Sequence, residues 1–376
     1  NVPEGSVAMG GIGCHGLATW MPGRRTQSLT HMGGEGATWI GQAPFMDRQH
    51  VFQNLGDGTY FHSGLLALRA NVAARSNITY KILLNGAISM TGGQPIEGQS
   101  FDGGITAPHI AGQVYAEGVT RIALVTDDLQ RHSDKSQFPA VTSFHHRDDL
   151  DAVQRDIRDH KGVSVIIYEQ ACATERRRLR KRGKYPDIDK RLFINEAVCE
   201  GCGDCGVQSN CIALEPVETD LGRKRKINQS VCNKDFSCVK GMCPSFVTVY
   251  GGSLRSAAKT GEGIDESLLV NLPEPQATIS AEACNIVVAG VGGSGIVTLG
   301  ALLGIAAHME DKPCSVLDIT GLSQRNGAVT SHIRFVGGTE LEVSTRIPQG
   351  AADLVLAADL VVAASAQVLP ALSAHR

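Results

Sequence analysis

The stretch "VFQNLGDGTYFHSGLLALRANVAAR" (51–75) decides the fold. Its first five residues are an apolar run typical of a buried strand, and helical spacing begins at Phe61. Asp57 lies between Gly56 and Gly58 at the junction. Because Asp-Gly is a common turn dipeptide, a purely structural turn is one interpretation. The other is a ligand site, because open α/β sheets bind ligands where strands end and helices begin.

The same alternation continues along the first half of the chain. Apolar runs at 78–85, 121–126 and 163–169 predict buried parallel strands, and the spacing at 147–160 predicts a second helix. Strands that alternate with helices predict the α/β fold class.

The bulk composition sets limits on the class of protein. The chain has 376 residues, a net charge of −3 and 42% hydrophobic residues, which predicts two or three globular domains and argues against nucleic-acid binding and disorder. No run of eighteen apolar residues and no signal peptide occurs, so we expect no membrane span and a cytoplasmic location. The chain starts without Met and stops within an apolar pattern, which predicts an internal piece of a longer polypeptide.

Asn85 is the expected partner of Asp57. It ends the strand that follows the helix after Asp57, so both residues are predicted at the carboxyl ends of neighbouring strands. A carboxylate oxygen of Asp57, the amide oxygen of Asn85 and the carbonyl oxygen of Ala87 would supply hard ligands for a Mg²⁺ ion that also binds a diphosphate.

These residues resemble a known motif. The GDG triplet with the following Asn85 is similar to the thiamine diphosphate motif, and "HMGGEGATWIG" (31–41) with "NGAISMTGGQP" (85–95) resembles the 2-oxoacid:ferredoxin oxidoreductases, above all the indolepyruvate type. The resemblance implies that thiamine diphosphate and Mg²⁺ are bound by Gly33, Gly34, Gly56, Asp57, Gly58, Asn85, Ala87, Met90 and Thr91. It also suggests that His62 and His15 face the substrate, although a purely structural role is at least as frequent for a histidine.

Seven of the eleven cysteines lie between Cys199 and Cys243, a density that indicates a metal site. Cys199, Cys202 and Cys205 have the ferredoxin spacing, in which three thiolates bind one cluster and the fourth binds the other. Cross-ligation assigns Cys199, Cys202, Cys205 and Cys243 to the first cluster, and Cys211, Cys232, Cys238 and Asp235 to the second. We call these groups the first and second cysteine sets. Because Asp235 stands where a cysteine belongs, one or two [4Fe–4S] clusters are predicted: the second is either complete, reduced to [3Fe–4S] by loss of one iron, or absent.

Two further segments allow alternatives. "ERRRLRKRGK" (175–184) predicts either a solvated linker or a docking surface for an acidic electron acceptor. "VVAGVGGSGIV" (287–297) contains a glycine fingerprint, with Asp318 ending the next strand, that would suit a dinucleotide. The segment resembles more closely the gamma domain of the same oxidoreductases, where glycines let a helix pack close to a sheet.

The resemblance in all three regions implies a thiamine diphosphate-binding domain at 1–185, a ferredoxin-like iron–sulfur region at 186–255, a linker at 256–283 and the first part of a Rossmann-like gamma domain at 284–376. The implied reaction converts an aryl-2-oxoacid and coenzyme A to an aryl-acetyl-CoA and passes electrons to ferredoxin. The implied enzyme is a homo-oligomer and takes a glutamate from an upstream pyrimidine-binding domain, so this piece alone would be inactive. Two alternatives are a branched-chain or other 2-oxoacid as substrate, and an electron-transfer module with a vestigial thiamine fold.

Overall fold

The computed structural model describes residues 2–21, 23–90, 93, 96, 105–252, 283–321, 327–337 and 344–372. These residues form two compact units, and each is described by itself. The first unit holds the described residues up to Ser89 and from Ile96 to Gly252, and the second holds Met90, Gly93 and those from Ala283 onward. Most of the predicted linker at 256–283 lies outside the described residues.

A seven-stranded, wholly parallel sheet is the centre of the first unit. Its strands are β1 (Ala8–Gly10), β2 (Thr26–Leu29), β3 (Val51–Gly56), β4 (Ile78–Leu84), β5 (Arg121–Thr126), β6 (Thr142–His146) and β7 (Val163–Glu169). The strand order is β2-β1-β3-β4-β7-β5-β6. The predicted strands at 51–55, 78–85, 121–126 and 163–169 are confirmed, and they are the central, most deeply buried ones because both of their faces are covered.

Helices cover both faces of this sheet. They are α1 (Ala37–Gln42), α2 (Asp57–Thr59), α3 (Leu65–Ala73), α4 (Ala107–Ala116), α5 (Leu150–Ile157) and α6 (Ala173–Lys181). A π-helical turn (Tyr60–Gly64) joins α2 to α3, and short 3₁₀ helices lie at Cys14–Trp20, Ala43–Phe45, Leu129–His132, Lys135–Gln137 and Arg147–Asp149. One core packs Trp39, Leu68 and Ile110 against one face of the sheet, while Val153 and Ile157 of α5 pack against the other. The α/β class is therefore confirmed.

The cysteine region completes the first unit with two small antiparallel pairs. Strand β8 (Lys190–Ile194) pairs with β11 (Phe246–Tyr250), and β9 (Leu214–Thr219) pairs with β10 (Gly222–Ile227). Helix α7 (Asp204–Ser209) and a 3₁₀ turn (Ser237–Val239) lie between these strands.

The second unit is built around a four-stranded mixed sheet. It contains β12 (Ala283–Val291), β13 (Cys314–Thr320), β14 (Ala328–Val336), β15 (Leu354–Ala357), helices α8 (Ile296–Met309) and α9 (Leu360–Ala363), and a 3₁₀ turn (Leu369–Ala371). The order is β13-β14-β12-β15, and β14 is antiparallel to both β12 and β13. Gly300 lets α8 approach this sheet, because a Cβ there would lie 2.3 Å from the Ser331 hydroxyl oxygen.

One arrangement differs from a dinucleotide-binding fold. In that fold the glycine-rich turn leads from a strand into a helix, and the strand after the helix lies beside the first and parallel to it. Here β14 separates β12 from β13, and Asp318 faces Ser331 of β14 in the strand register. This geometry favours the packing role of the glycines over dinucleotide binding.

The basic run at 175–184 is largely helical, because α6 extends through Lys181, and its linker and docking interpretations both stay predictions. In the described part of the chain, no helix is both long enough and apolar enough to cross a lipid bilayer.

Candidate functional site

Asp57 is the first residue of α2, directly after β3. Its side chain is 2% exposed and accepts three backbone hydrogen bonds. Oδ2 accepts from the amides of Asn85 (2.8 Å) and Gly86 (2.9 Å), and Oδ1 accepts from the amide of Gly58 (2.8 Å). Burial raises the pKa of the carboxyl, and the three donors oppose that change. The donors fix both oxygens in position at the sheet edge.

Asn85 follows the neighbouring strand β4, so Asp57 and Asn85 occupy adjacent strand ends as the sequence predicts. The side-chain oxygen of Asn85 accepts hydrogen bonds from the amide of Ala87 (3.1 Å) and the hydroxyl of Ser89 (3.0 Å). The same hydroxyl lies 3.3 Å from the carbonyl oxygen of Ala87. The oxygens of Asn85 and Ala87 are thus gathered by one small side chain, Ser89, which sequence reasoning did not single out.

This donor set suits a hard cation. One carboxylate, one amide oxygen and one carbonyl oxygen are the ligand types that Mg²⁺ takes from proteins when substrate phosphates complete its shell. Of the three amides that bond Asp57, that of Gly58 lies in α2, and those of Asn85 and Gly86 lie in the loop after β4. The residues present therefore fit a magnesium-bound diphosphate.

The second glycine-rich loop meets the helix that follows Asp57. Gly33 has a left-handed φ of +89°, and a Cβ there would lie 2.7 Å from the hydroxyl oxygen of Ser63. A Cβ on Gly34 would clash with the ring of His31 at 2.7 Å. Only glycine fits these two positions, so the backbone of this loop can approach a ligand closely.

Glu35, in the same loop, is a buried carboxyl that the sequence prediction missed. It is 0% exposed, its Oε2 accepts from the amide of Gly33 (2.7 Å), and its Oε1 has no partner among the described residues. Burial raises its pKa. The signal in the sequence is an acid between glycines, "GGEGA" (33–37), the same pattern as that around Asp57.

The remaining predicted cofactor residues have different surroundings. Gly56 ends β3 and caps α2, and a Cβ on Gly58 would lie 3.1 Å from Ile88. Met90 is half-buried at the end of the loop after β4, whereas Thr91 lies outside the described residues.

The two histidines differ in burial. His62 lies on the π-helical turn, is exposed, and its Nδ1 is 2.8 Å from the hydroxyl oxygen of Ser63. His15 is buried, which lowers its pKa to about 4, and within the described chain its Nε2 has no hydrogen-bond partner. Its ring lies 4.0 Å from where a Cβ of Gly56 would stand. His15 is therefore a buried, neutral imidazole close to the end of β3.

Lys81 is a buried cation near His15. Both line a cavity of about 220 Å³ on the sheet face that α5 covers. The Lys81 side chain points away from solvent, is 7% exposed, and donates to Gln154 Oε1 at 3.0 Å. Among the described residues it has no carboxylate within ion-pair distance. Burial lowers its pKa to about 8.

The first cysteine set surrounds a cavity of about 140 Å³. Cys199 and Cys202 lie in the loop after β8, Cys205 lies on α7, and Cys243 precedes β11. Burial raises the pKa of the Cys205 thiol, and the neighbouring thiols of Cys243, Cys202 and Cys199 raise it further. Four thiols around one void fit a cluster in which each thiolate binds its own iron. Among the described residues, no three His, Cys, Asp or Glu side chains lie close enough together to hold one mononuclear metal ion.

The second cysteine set is also brought together. Burial raises the pKa of Cys238 to about 12, and the nearby thiols of Cys232 and Cys211 and the carboxylate of Asp235 contribute. The Asp235 carboxylate accepts from the amide (3.4 Å) and hydroxyl (3.0 Å) of Ser237. Three thiols and one carboxylate therefore form a mixed donor set, which favours iron less at the carboxylate than at the thiols.

Backbone amides point at the cysteine sulfurs. The amides of Gly201, Ala213 and Lys234 lie 3.4 Å from the sulfurs of Cys199, Cys211 and Cys232, in each case two residues earlier in the chain. Such donors stabilise thiolates and tune the potential of the cluster that they bind. Gly201 has a φ of +73°, and a Cβ there would lie 2.1 Å from the carbonyl oxygen of Arg223.

Two family profiles match separate parts of the chain. Residues 11–168 match the thiamine pyrophosphate enzyme, C-terminal TPP binding domain, and residues 285–374 match pyruvate ferredoxin/flavodoxin oxidoreductase. The first match contains the Asp57 and Asn85 strand ends. The second match falls in the second unit.

Curated relatives agree with these profiles. Indolepyruvate oxidoreductase subunit IorA of Pyrococcus horikoshii is 27% identical over 255 residues, which cover 66% of this chain and 34% of that protein. Subunit IorB of Thermococcus kodakarensis is 42% identical over 72 residues, or 19% of this chain and 34% of that protein. The matched segments span about a third of the length of these relatives. A solved 2-oxoglutarate:ferredoxin oxidoreductase from Magnetococcus marinus is 18% identical with a TM-score of 0.33, covering 48% of this chain and 56% of that one.

Proposed function

We propose that this chain is part of a 2-oxoacid:ferredoxin oxidoreductase and takes part in the oxidative decarboxylation of an aryl-2-oxoacid. The proposed products are an aryl-acetyl-CoA and carbon dioxide, with coenzyme A as second substrate and ferredoxin as electron acceptor. Thiamine diphosphate, when bound, supplies the carbanion-stabilising chemistry that the reaction needs. The residues of this chain bind, orient and shield it.

The oxygen set of Asp57, Asn85 and Ala87 is the observation that carries the proposal. These oxygens would hold Mg²⁺, which would in turn bind the diphosphate. The further residues proposed to line the cofactor are Gly33, Gly34, Gly56, Gly58, Met90 and Thr91. Glycines at these turns support the proposal, because the backbone can then lie against phosphate oxygens.

The two cysteine sets are proposed to bind one or two [4Fe–4S] clusters. Cys199, Cys202, Cys205 and Cys243 would hold the first, and Cys211, Cys232, Asp235 and Cys238 the second. Because Asp235 is the weakest ligand for iron, the second site is proposed to lose one iron and become [3Fe–4S].

The substrate proposal rests on the relatives. These relatives are named as subunits of indolepyruvate oxidoreductase, so a 2-oxoacid with an aryl side chain is the first choice of substrate. A branched-chain or other 2-oxoacid is the alternative. His62, exposed on the turn after Asp57, is the proposed catalytic residue facing the substrate. Rates across a panel of aryl and branched-chain 2-oxoacids, measured with the full-length enzyme, would separate the two substrates. A cytoplasmic location and a homo-oligomer stay predictions.

An electron-transfer module with a vestigial thiamine fold is the competing function. The ordered Asp57 and Asn85 oxygens argue against it, because such a module would have no need to keep a metal-binding donor set. Calorimetry of thiamine diphosphate binding decides between the two functions. Binding that requires Mg²⁺ supports the enzyme, and cluster loading without cofactor binding supports the module.

The matched variants are Asp57→Ala and Asp159→Ala in the full-length enzyme. The side chain of Asp159 is 81% exposed, so its loss controls for a general change of charge. We expect Asp57→Ala to weaken Mg²⁺-dependent thiamine diphosphate binding at least a hundredfold, and Asp159→Ala to leave it unchanged. Equal affinity in the parent and Asp57→Ala would overturn the assignment of the site.

A further inference from the structure

Helix α6 connects the parallel sheet to the second cysteine set. Arg177 donates from Nη1 to the side-chain oxygen of Asn233. Arg180 donates from Nη2 to the carbonyl oxygens of Cys232 (3.3 Å) and Asn233 (3.0 Å). The side chain of Arg180 is only 9% exposed, which is rare for an arginine unless it is paired. Both arginines therefore hold the chain at a cluster ligand.

A third cation lies at the same place. Lys234 is 8% exposed, and its Nζ contacts the Asp187 carboxylate (2.6 Å) and the Ile188 carbonyl oxygen (2.7 Å). Counting Arg177, Arg180 and Lys234 against Asp187 and Asp235, the second set has one excess positive charge.

The first cysteine set has the opposite balance. The charged side chains that line its cavity are Glu200, Asp204 and Arg225, which leave one excess negative charge. Nearby positive charge stabilises the reduced form of an iron–sulfur cluster, and nearby negative charge opposes it. The two sets should therefore differ in potential even with similar ligands.

Three more contacts hold the second set against the thiamine-binding domain. Arg147, just after β6, donates to the Ser237 hydroxyl oxygen at 3.4 Å, and Lys240 forms an ion pair with Asp148. Arg24 donates to the side-chain oxygen of Asn210, the residue before Cys211, at 2.9 Å. Each contact involves a residue within two positions of a ligand of the second set. No comparable contact from residues 2–169 to the first set occurs in the described chain.

We infer that Arg177 and Arg180 are positioning residues that fix the second cysteine set against the thiamine-binding domain and raise the reduction potential of its cluster above that of the first. The inference rests on the proposed function, because it needs both sets to bind clusters. The role that it assigns to the basic run at 175–184 differs from both earlier interpretations, the solvated linker and the docking surface.

The test is an EPR-monitored redox titration of the full-length enzyme, reconstituted with iron and sulfide under anaerobic conditions. A Cys205→Ser variant, which removes a ligand of the first set, identifies the signal of the second cluster. We compare Arg180→Met with Arg182→Met, since Arg182 is an exposed residue at the end of the same helix. We expect Arg180→Met to make reduction of the second cluster about tenfold less favourable, about 59 mV for a one-electron couple. Arg182→Met and the first cluster should be unaffected.

Two further variants keep the inference falsifiable if Arg180→Met does not bind iron. Arg177→Met removes a charge without touching a ligand carbonyl, and Arg180→Lys keeps the charge and should restore the potential. This inference alone is overturned if the second cluster of iron-loaded Arg180→Met or Arg177→Met keeps the reduction potential of the parent. It is also overturned if the potentials of both clusters change equally. If the parent enzyme binds no iron at the second set, both the inference and the proposed second cluster are overturned. The proposed thiamine site is tested separately, by Mg²⁺-dependent binding of thiamine diphosphate.

Discussion

Lys81→Met should stabilise the first unit at neutral pH. Lys81 is 7% exposed on β4 and has no acidic partner among the described residues, so its charge is buried without an opposite charge. Methionine has a similar shape and no charge. The variant therefore removes the cost of burying an ammonium group while it keeps most of the packing.

The magnitude follows from the pKa. Burial lowers the pKa of Lys81 from 10.5 to about 8, a difference of about 2.5, which corresponds to about 3 kcal/mol of lost stability. Methionine leaves the Gln154 side-chain oxygen without its 3.0 Å donor, at a cost of about 1 kcal/mol, and loses the contact of the ammonium with the Phe52 ring, worth roughly 0.5 kcal/mol. The net expectation is a gain of about 1 to 2 kcal/mol at pH 7.

The effect should depend on pH with a definite sign. Because the folded pKa is the lower one, the unfolded chain binds more protons between about pH 8 and 10.5. The free energy of unfolding of the parent therefore gains a contribution across that window that the variant lacks. The advantage of Lys81→Met should be full below pH 8 and should shrink, then reverse, as the pH approaches 10.5.

Urea unfolding followed by tryptophan fluorescence measures this effect. Both tryptophans lie in the first unit, and Trp39 is 1% exposed, so the signal reports on that unit. Lys161→Met, at an exposed lysine, is the control and should show no pH-dependent difference from the parent. A stability difference between Lys81→Met and the parent that stays constant from pH 7 to pH 10 would refute the reasoning.

Three other changes test the cysteine sets and the second unit. Gly201→Ala places a Cβ 2.1 Å from the Arg223 carbonyl oxygen, so we expect iron content after reconstitution to fall toward half, and full loading would contradict this. Asp235→Cys should suppress the three-iron EPR signal that mild oxidation produces in the parent; two equally robust four-iron clusters in the parent would show that the aspartate is harmless. Gly300→Ala brings a Cβ within 2.3 Å of Ser331, so urea unfolding followed by circular dichroism should show a loss of about 1 to 3 kcal/mol. An unchanged unfolding midpoint would mean that α8 moves away without cost.

The central strands of the first unit were predictable because each is a short apolar run bounded by glycine or polar residues. Strands β1 and β2 escaped prediction since "AMG" and "TQSL" are short and lack a continuous apolar run. The meeting of Asp57 with Asn85 was also predictable, because parallel strands bring their carboxyl ends to one edge.

Contacts between distant segments were not predictable in the same way. The arginines of α6 belong to a run of basic residues, and the sequence pattern of that run does not identify their hydrogen-bond acceptors. Those acceptors lie more than fifty residues later in the chain. Glu35 and Lys81 were missed for a related reason. Burial of a charged residue depends on which helices and strands cover it. The periodicity of the apolar residues in the sequence does not show which elements these will be.

The attachment of the cysteine region to the parallel sheet has a kinetic consequence. A ferredoxin that diffuses freely must find its donor in each turnover, and its rate of encounter depends on concentration and salt. Here Arg24, Arg147 and α6 hold the second set within the same unit as the parallel sheet. No diffusional encounter between the two is therefore needed once the chain has folded. The proposed electron transfer from the thiamine site to the second cysteine set should therefore be independent of protein concentration and nearly independent of solvent viscosity.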